Sequence, residues 1–140
     1  MGANSNLAKT MEALRAAGCI VDKCEQWIPR ANIRRDLFHL FDIIAIHPDR
    51  IVGVQVCTMS DRNAHLKKMC EDNRTACEAW LRAGGGIEVW AWRPLLIKLK
   101  DGTTGARKVW KPMIQQITLN EFDRFDFPML PDDSYGISVA

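Results

Sequence analysis

The chain has 140 residues, enough for one domain with a buried core. Its 47% hydrophobic and 26% charged content excludes a disordered or low-complexity segment, and no apolar run approaches the roughly 20 residues of a bilayer span. The net charge of +2 hides an asymmetry: residues 1–120 carry 18 Lys/Arg and 12 Asp/Glu, a body of +6, and residues 121–140 carry one Arg and five acids, a tail of −4. Such a body is compatible with a polyanionic partner without demanding one.

The first residues, Met-Gly-Ala-Asn-Ser-Asn, lack the basic and apolar regions of a signal peptide. Gly2 also lacks the following Ser or Thr that favours myristoylation. The five cysteines (19, 24, 57, 70 and 77) are odd in number, scattered and without a Cys-x-x-Cys pair. That usage points to a reducing, cytoplasmic compartment and against a zinc site.

In chain order, residues 5–17 predict a helix. Ser5 or Asn4 can cap it, Leu7, Met11 and Leu14 share a face, and Gly18 stops it. A strand over 19–28 follows, then a basic loop from Pro29 to Arg35 holding Arg30, Arg34 and Arg35. Strands over 37–46 and 51–58 are apolar on both faces, as central strands are. Ser60 opens a long helix over 61–83 with the stripe Leu66, Met69/Cys70, Asn73, Cys77 and Trp80/Leu81. Gly84-Gly85-Gly86 ends it; glycines that follow a helix do not form a phosphate loop.

A strand over 87–92 comes next. Strands over 95–100 and 107–111 form a hairpin around a Gly-rich turn, and 113–119 adds a short strand. The expected fold is α/β: an αβββαβ core with a mixed central sheet flanked by helices, plus a C-terminal β-hairpin. Residues 1–120 form one domain, and 121–140 an acidic C-terminal tail or docking segment.

The segment 36–58 holds the chemistry. Its strands carry few polar residues, chiefly Asp36, His39, Asp42 and Gln55, and a carboxylate within an apolar strand is costly unless paired. Asp42 is therefore either structurally satisfied or functional. The turn His47-Pro48-Asp49-Arg50 sets the register. A two- or four-residue loop pairs 42 with 55 on one face, Cβ atoms about 5 Å apart; a three-residue loop with a bulge puts Gln55 on the other face. Alternation gives Asp36 the parity of Asp42.

His39, His47 and His65 lie on separate elements, and no Ser or Cys has a visible His partner, so a nucleophilic triad is unsupported. Trp90 and Trp92 alternate on one strand face, where they pack in a core or stack bases. Arg30, Arg34 and Arg35, with Lys67, Lys68, Lys108 and Lys111, could line a phosphate-binding surface.

The element order, with Asp42 on one strand and Gln55-Val56-Cys57 on the next, resembles the PD-(D/E)XK nuclease superfamily, which includes Holliday-junction resolvases and restriction enzymes. The segment is also similar to small phage and bacterial proteins with an Arg-Asp-Leu-Phe-x-x-x-Asp strand and a Gln-Val-Thr strand. The resemblance covers roughly residues 5–92. It implies a restriction-endonuclease-like fold and metal-dependent DNA cleavage, with an Asp and an acid-x-Lys binding magnesium and activating water. Here Asp42 matches the Asp, Gln55 the acid and Cys57 the Lys.

Asp42 and Gln55 are thus the expected magnesium ligands, and Gln55 brings a neutral oxygen. Cys57 supplies no cation beside the attacking water, and a thiolate is too soft for magnesium. Lys67, Lys68 or Lys23 is then a migrated lysine, and Asp36 or Glu25 the second acid; Glu12 is the only acid of the first helix. Arg30, Arg34, Arg35, Lys67 and Lys68 are expected to hold DNA. The expected function is a magnesium-dependent DNA endonuclease, resolvase-like. The alternatives are a catalytically degenerate nucleic-acid-binding protein of the same fold, and a homodimeric interaction module using the Trp-rich strand and acidic tail.

Overall fold

The computed structural model describes residues 5–24, 26–120 and 136–139. Glu25 and the tail over 121–135 lie outside the described residues.

Helix α1 spans Asn6–Ala16, and Ser5 caps it as expected, its hydroxyl accepting from the Ala8 N–H at 3.2 Å. Leu7, Met11 and Leu14 form its buried face. The segment expected as one strand over 19–28 divides into β1 (Ile20–Lys23) and β2 (Gln26–Ile28). Strand β3 (Ile33–Arg35) pairs with β2 in a separate two-stranded sheet. The basic loop is thus partly a hairpin, with Asn32 in the left-handed region at its turn.

The expected strand over 37–46 is also corrected. Only Ile43–Ile46 forms β4. Phe38 and His39 adopt φ of 55° and 58°, and residues 36–41 fold into a tight turn. In it His39 N–H donates to Asp36 O and Phe41 N–H to Leu37 O. Leu40 and Phe41 enter the core from this turn, both fully buried. Strand alternation therefore does not run from Asp36 to Asp42.

Strand β5 (Ile51–Thr58) leads through a 3₁₀ turn (Met59–Asp61) into α2 (Arg62–Lys67), a π turn (Lys68–Asp72) and α3 (Arg74–Arg82). The single expected helix thus holds its span but opens by one π turn. Asn73, the residue after that turn, donates to the His39 carbonyl at 3.2 Å. Arg62, the first residue of α2, is buried and donates to Gln115 Oε1 and Asn63 Oδ1 at 3.2 and 3.0 Å.

Strands β6 (Gly86–Lys98) and β7 (Thr104–Ile117) are continuous, so the four short strands expected there are two long ones. Prolines 94 and 112 do not break them. Pro94 lies past the last β5 partner, Trp92, and before the first β8 partner, Leu95. Pro112 lies on edge strand β7, where a missing donor is tolerated.

The central sheet runs β1-β4-β5-β6-β7, with β8 (Gly136–Val139) joining β6 beyond β5. Strand β4 is antiparallel to both β1 and β5, β5 and β6 are parallel, and β6 and β7 antiparallel. The fold is therefore mixed α/β with helices on both faces. Helix α1 covers Ile43, Ala45, Val52, Val54, Trp90 and Trp92. Helices α2 and α3 cover Cys57, Ile87, Val89 and Ala91. Each large apolar side chain so buried contributes about 1.5–3 kcal/mol. No helix of the described residues is long and apolar enough to cross a membrane.

Candidate functional site

The turn between β4 and β5 decides the register. Ile46 pairs with Ile51 and Ile43 with Val54, so the loop is residues 47–50, closed by the His47 N–H on the Arg50 carbonyl at 2.8 Å. Asp42 and Gln55 therefore lie side by side. Here β4 peels away: the Asp42 N–H reaches Val54 O and its carbonyl accepts from Cys24 N–H, both at 2.9 Å. The Asp42 carboxylate takes over as acceptor for the next β5 donor, the Val56 N–H, at 2.9 Å. Its Oδ2 also accepts from Gln55 Nε2 at 3.1 Å. A half-buried carboxylate is thus compensated by two donors, as burial requires.

Beside this pair opens a cleft of about 380 Å³ between the start of α1 and α2. Asp42, Cys57, Thr58, Asp61 and His65 line it. Thr58 Oγ1 donates to Asp61 Oδ2 at 3.1 Å and lies 3.0 Å from Ser60 Oγ, which fixes Asp61 at the helix start. Desolvation lowers the His65 pKa, against the pull of Asp61 and Asp36, so its ring is neutral near neutral pH. Asp61 was not singled out in the sequence, and His65 was weighed there only as a triad histidine on a separate element. Their i, i+4 spacing at the start of a helix following the Gln55 strand was the available signal.

Burial pushes the Cys57 thiol up to about 12, with Asp61 adding to the shift, so it is neither a thiolate ligand nor a cation. Cys24 and Cys77 are likewise pushed up to about 11 and about 12, chiefly by burial. All five cysteines are free. Thiol titration with a disulfide reagent at pH 8 is expected to be slow for Cys24, Cys57 and Cys77 until the protein unfolds. Fast reaction in the native state would contradict their burial.

His65 has a stability consequence. Its folded pKa lies below the ordinary value near 6.5. As pH falls through that value, the unfolded chain binds the proton first. Stability is unaffected by His65 above this range and declines as pH drops toward the folded pKa. Urea unfolding at several pH values is expected to show a shallower acid decline in H65Q than in wild type.

The remaining candidates separate. Lys67, Lys68, Lys23 and Glu12 are exposed, and none lines the cleft. Asp36 sits in the 36–41 turn, close enough for its charge to act on His65. Arg30 and Arg35 are exposed on the β2–β3 hairpin, and Arg34 lies in β3. Trp90 and Trp92 are buried and donate to Glu88 Oε1 and Thr10 Oγ1, both at 2.9 Å, so they are core residues.

One Cys–His pair does form, contrary to expectation: Cys19 Sγ lies 3.4 Å from His47 Nδ1. Burial raises the Cys19 pKa, which disfavours the nucleophilic thiolate. Among the described residues no group of three or more His, Cys, Asp or Glu has metal-holding geometry. No protein-family model, curated protein or solved structure matches this chain.

Proposed function

We propose that this chain is a metal-dependent DNA endonuclease of the restriction-endonuclease-like fold, acting at the Asp42 cleft. The observation that carries the reading is the juxtaposition of Asp42 and Gln55 beside an open cleft that also takes Asp61 and His65. The strand directions support it. Three antiparallel strands precede one helical layer and a parallel fourth strand, the αβββαβ order of the resemblance.

The donor set fits magnesium modestly. That ion keeps several waters and is held by one or two carboxylates; Asp42 and Asp61 supply two on one cleft. Gln55 presents its N–H to Asp42. With its amide flipped, Gln55 would turn its carbonyl oxygen toward Asp42, and the two residues would be able to hold the ion together. Bound magnesium supplies charge stabilisation at the phosphoryl group and a more acidic water. His65, its pKa lowered by desolvation, lines the cleft and would be able to accept a proton there at a ring nitrogen. The basic residues of the β2–β3 hairpin, Arg30 and Arg35 among them, hold the backbone of the nucleic acid by charge.

A second reading is favoured by the same pair. Gln55 acts as a hydrogen-bond donor, and Cys57 is a neutral thiol where the family uses lysine. A binding protein that has ceased to cleave would look this way. Incubation of supercoiled and branched DNA with magnesium or manganese separates the two. Nicking that chelator abolishes supports the enzyme. Salt-dependent binding without nicking in either metal rejects the enzyme and supports the binding protein.

A further inference from the structure

A second groove, of about 430 Å³, adjoins the Asp42 cleft and shares Thr58 with it. It lies where β5 ends, so β6 and β7 run on as a ribbon without a β5 neighbour. Trp92 forms its buried side, while Trp110, opposite Pro94 in the ladder, is 46% exposed at its rim. Thr58 and Ser60 bring hydroxyls to the groove, and Arg93 lines it. Lys9, from α1, places its ammonium 5.6 Å from the Trp92 ring and 5.8 Å from the Trp110 ring.

The surroundings argue for an occupant that is aromatic and anionic at once. An exposed indole offers a flat π-face that suits another flat group. The cations at the groove (Lys9 and Arg93) favour a negative charge beside that group, and the hydroxyls can bond its polar edge. The volume lies in the range of small-molecule sites. A nucleotide in a single strand meets all of these conditions, whereas a base within a duplex hides its faces. We propose that the groove is a stacking subsite for an unpaired nucleobase, with Trp110 as the platform and Lys9 and Arg93 drawing in the adjacent phosphate.

This rests on the nucleic-acid reading above and adds a preference for single-stranded or frayed DNA next to the Asp42 cleft. Stacking on an aromatic side chain is sequence-tolerant, because every base has a π-face. The subsite therefore selects strandedness rather than sequence.

The test measures binding of a fluorescein-labelled oligothymidylate and of a duplex of equal length by anisotropy, at two salt concentrations, in chelator. W110A is expected to weaken the single strand by about 5- to 150-fold and to leave the duplex and the salt dependence nearly unchanged. W110F keeps a π-face and is expected to recover most of the loss. Equal losses for both ligands, or no loss for the single strand, overturn the subsite while leaving nucleic-acid binding in place. If wild type binds neither ligand, the nucleic-acid reading fails and the subsite with it. Self-association of wild type in sedimentation that W110A abolishes would assign the groove to a second copy and overturn the proposal.

Discussion

The substitution Asp42→Asn is expected to abolish metal-dependent nicking while the protein stays folded. The carboxylate accepts from the Val56 N–H and the Gln55 amide. The amide introduced by D42N keeps an oxygen for Val56, and Gln55 can turn its own amide to meet the new NH₂. The structural loss is then that of one weakened hydrogen bond, about 0.5–1.5 kcal/mol. On the proposed endonuclease reading, cleavage would lose the charge that holds the cation, and a fall of at least about 100-fold is expected. D42A serves as the structural control. It leaves the Val56 N–H without its acceptor and is expected to cost about 1–3 kcal/mol. Plasmid nicking and urea unfolding on the same three proteins decide the matter. A D42N protein that still nicks at the wild-type rate rules out Asp42 as a ligand.

The largest stability effect is expected from Phe41→Ala, about 3–5 kcal/mol in urea unfolding. Phe41 is fully buried, its ring 4.8 Å from that of Trp80 and tilted by 53°. It also lies flat over Gly53 of β5: a Cβ at that position would stand 2.5–2.6 Å from the ring carbons. Gly53 thus exists to admit the ring, and Gly53→Ala alone is expected to cost about 1–3 kcal/mol by overpacking. The two changes share one volume. The double variant F41A/G53A is therefore expected to be more stable than the sum of the single losses predicts. Strict additivity would mean that the ring and the strand are not in contact.

That contact also explains why part of the fold escaped the sequence. Residues 37–46 read as an unbroken apolar strand, yet Phe38 and His39 take left-handed backbone and turn the chain so that Phe41 lands on Gly53. Apolar composition reports burial and not direction, so a buried turn and a buried strand look alike. Pro94 and Pro112 fall in the gaps between the short strands expected over 87–92 and 95–100 and over 107–111 and 113–119. Each breaks a strand in isolation, but each occupies a position compatible with a missing donor, which depends on where β5 stops and where the sheet ends.

The candidate site divides the same way. Asp42 and Gln55 stood out in the sequence because a polar residue in an apolar strand demands a reason. Whether they meet rested on a four-residue loop, closed by one backbone hydrogen bond between His47 and Arg50. Asp61 and His65 read as ordinary helix residues, since nothing local tells a solvated helix start from one that borders a cleft. The same holds for Arg62, whose burial depends on Gln115, distant in sequence.

By itself the sequence determined the local periodicities: the capped first helix, the buried β5 run, the long amphipathic helix and the oddity of a carboxylate at position 42. These follow from spacing along the chain, because side-chain direction repeats with helix and strand geometry. Only the tertiary structure decided what that carboxylate faces. Register, the end of the β4–β5 ladder and the meeting of α1, α2 and β5 around the cleft are set by packing between segments remote in sequence. A residue's chemistry depends on those neighbours, through the donors, charges and desolvation they impose.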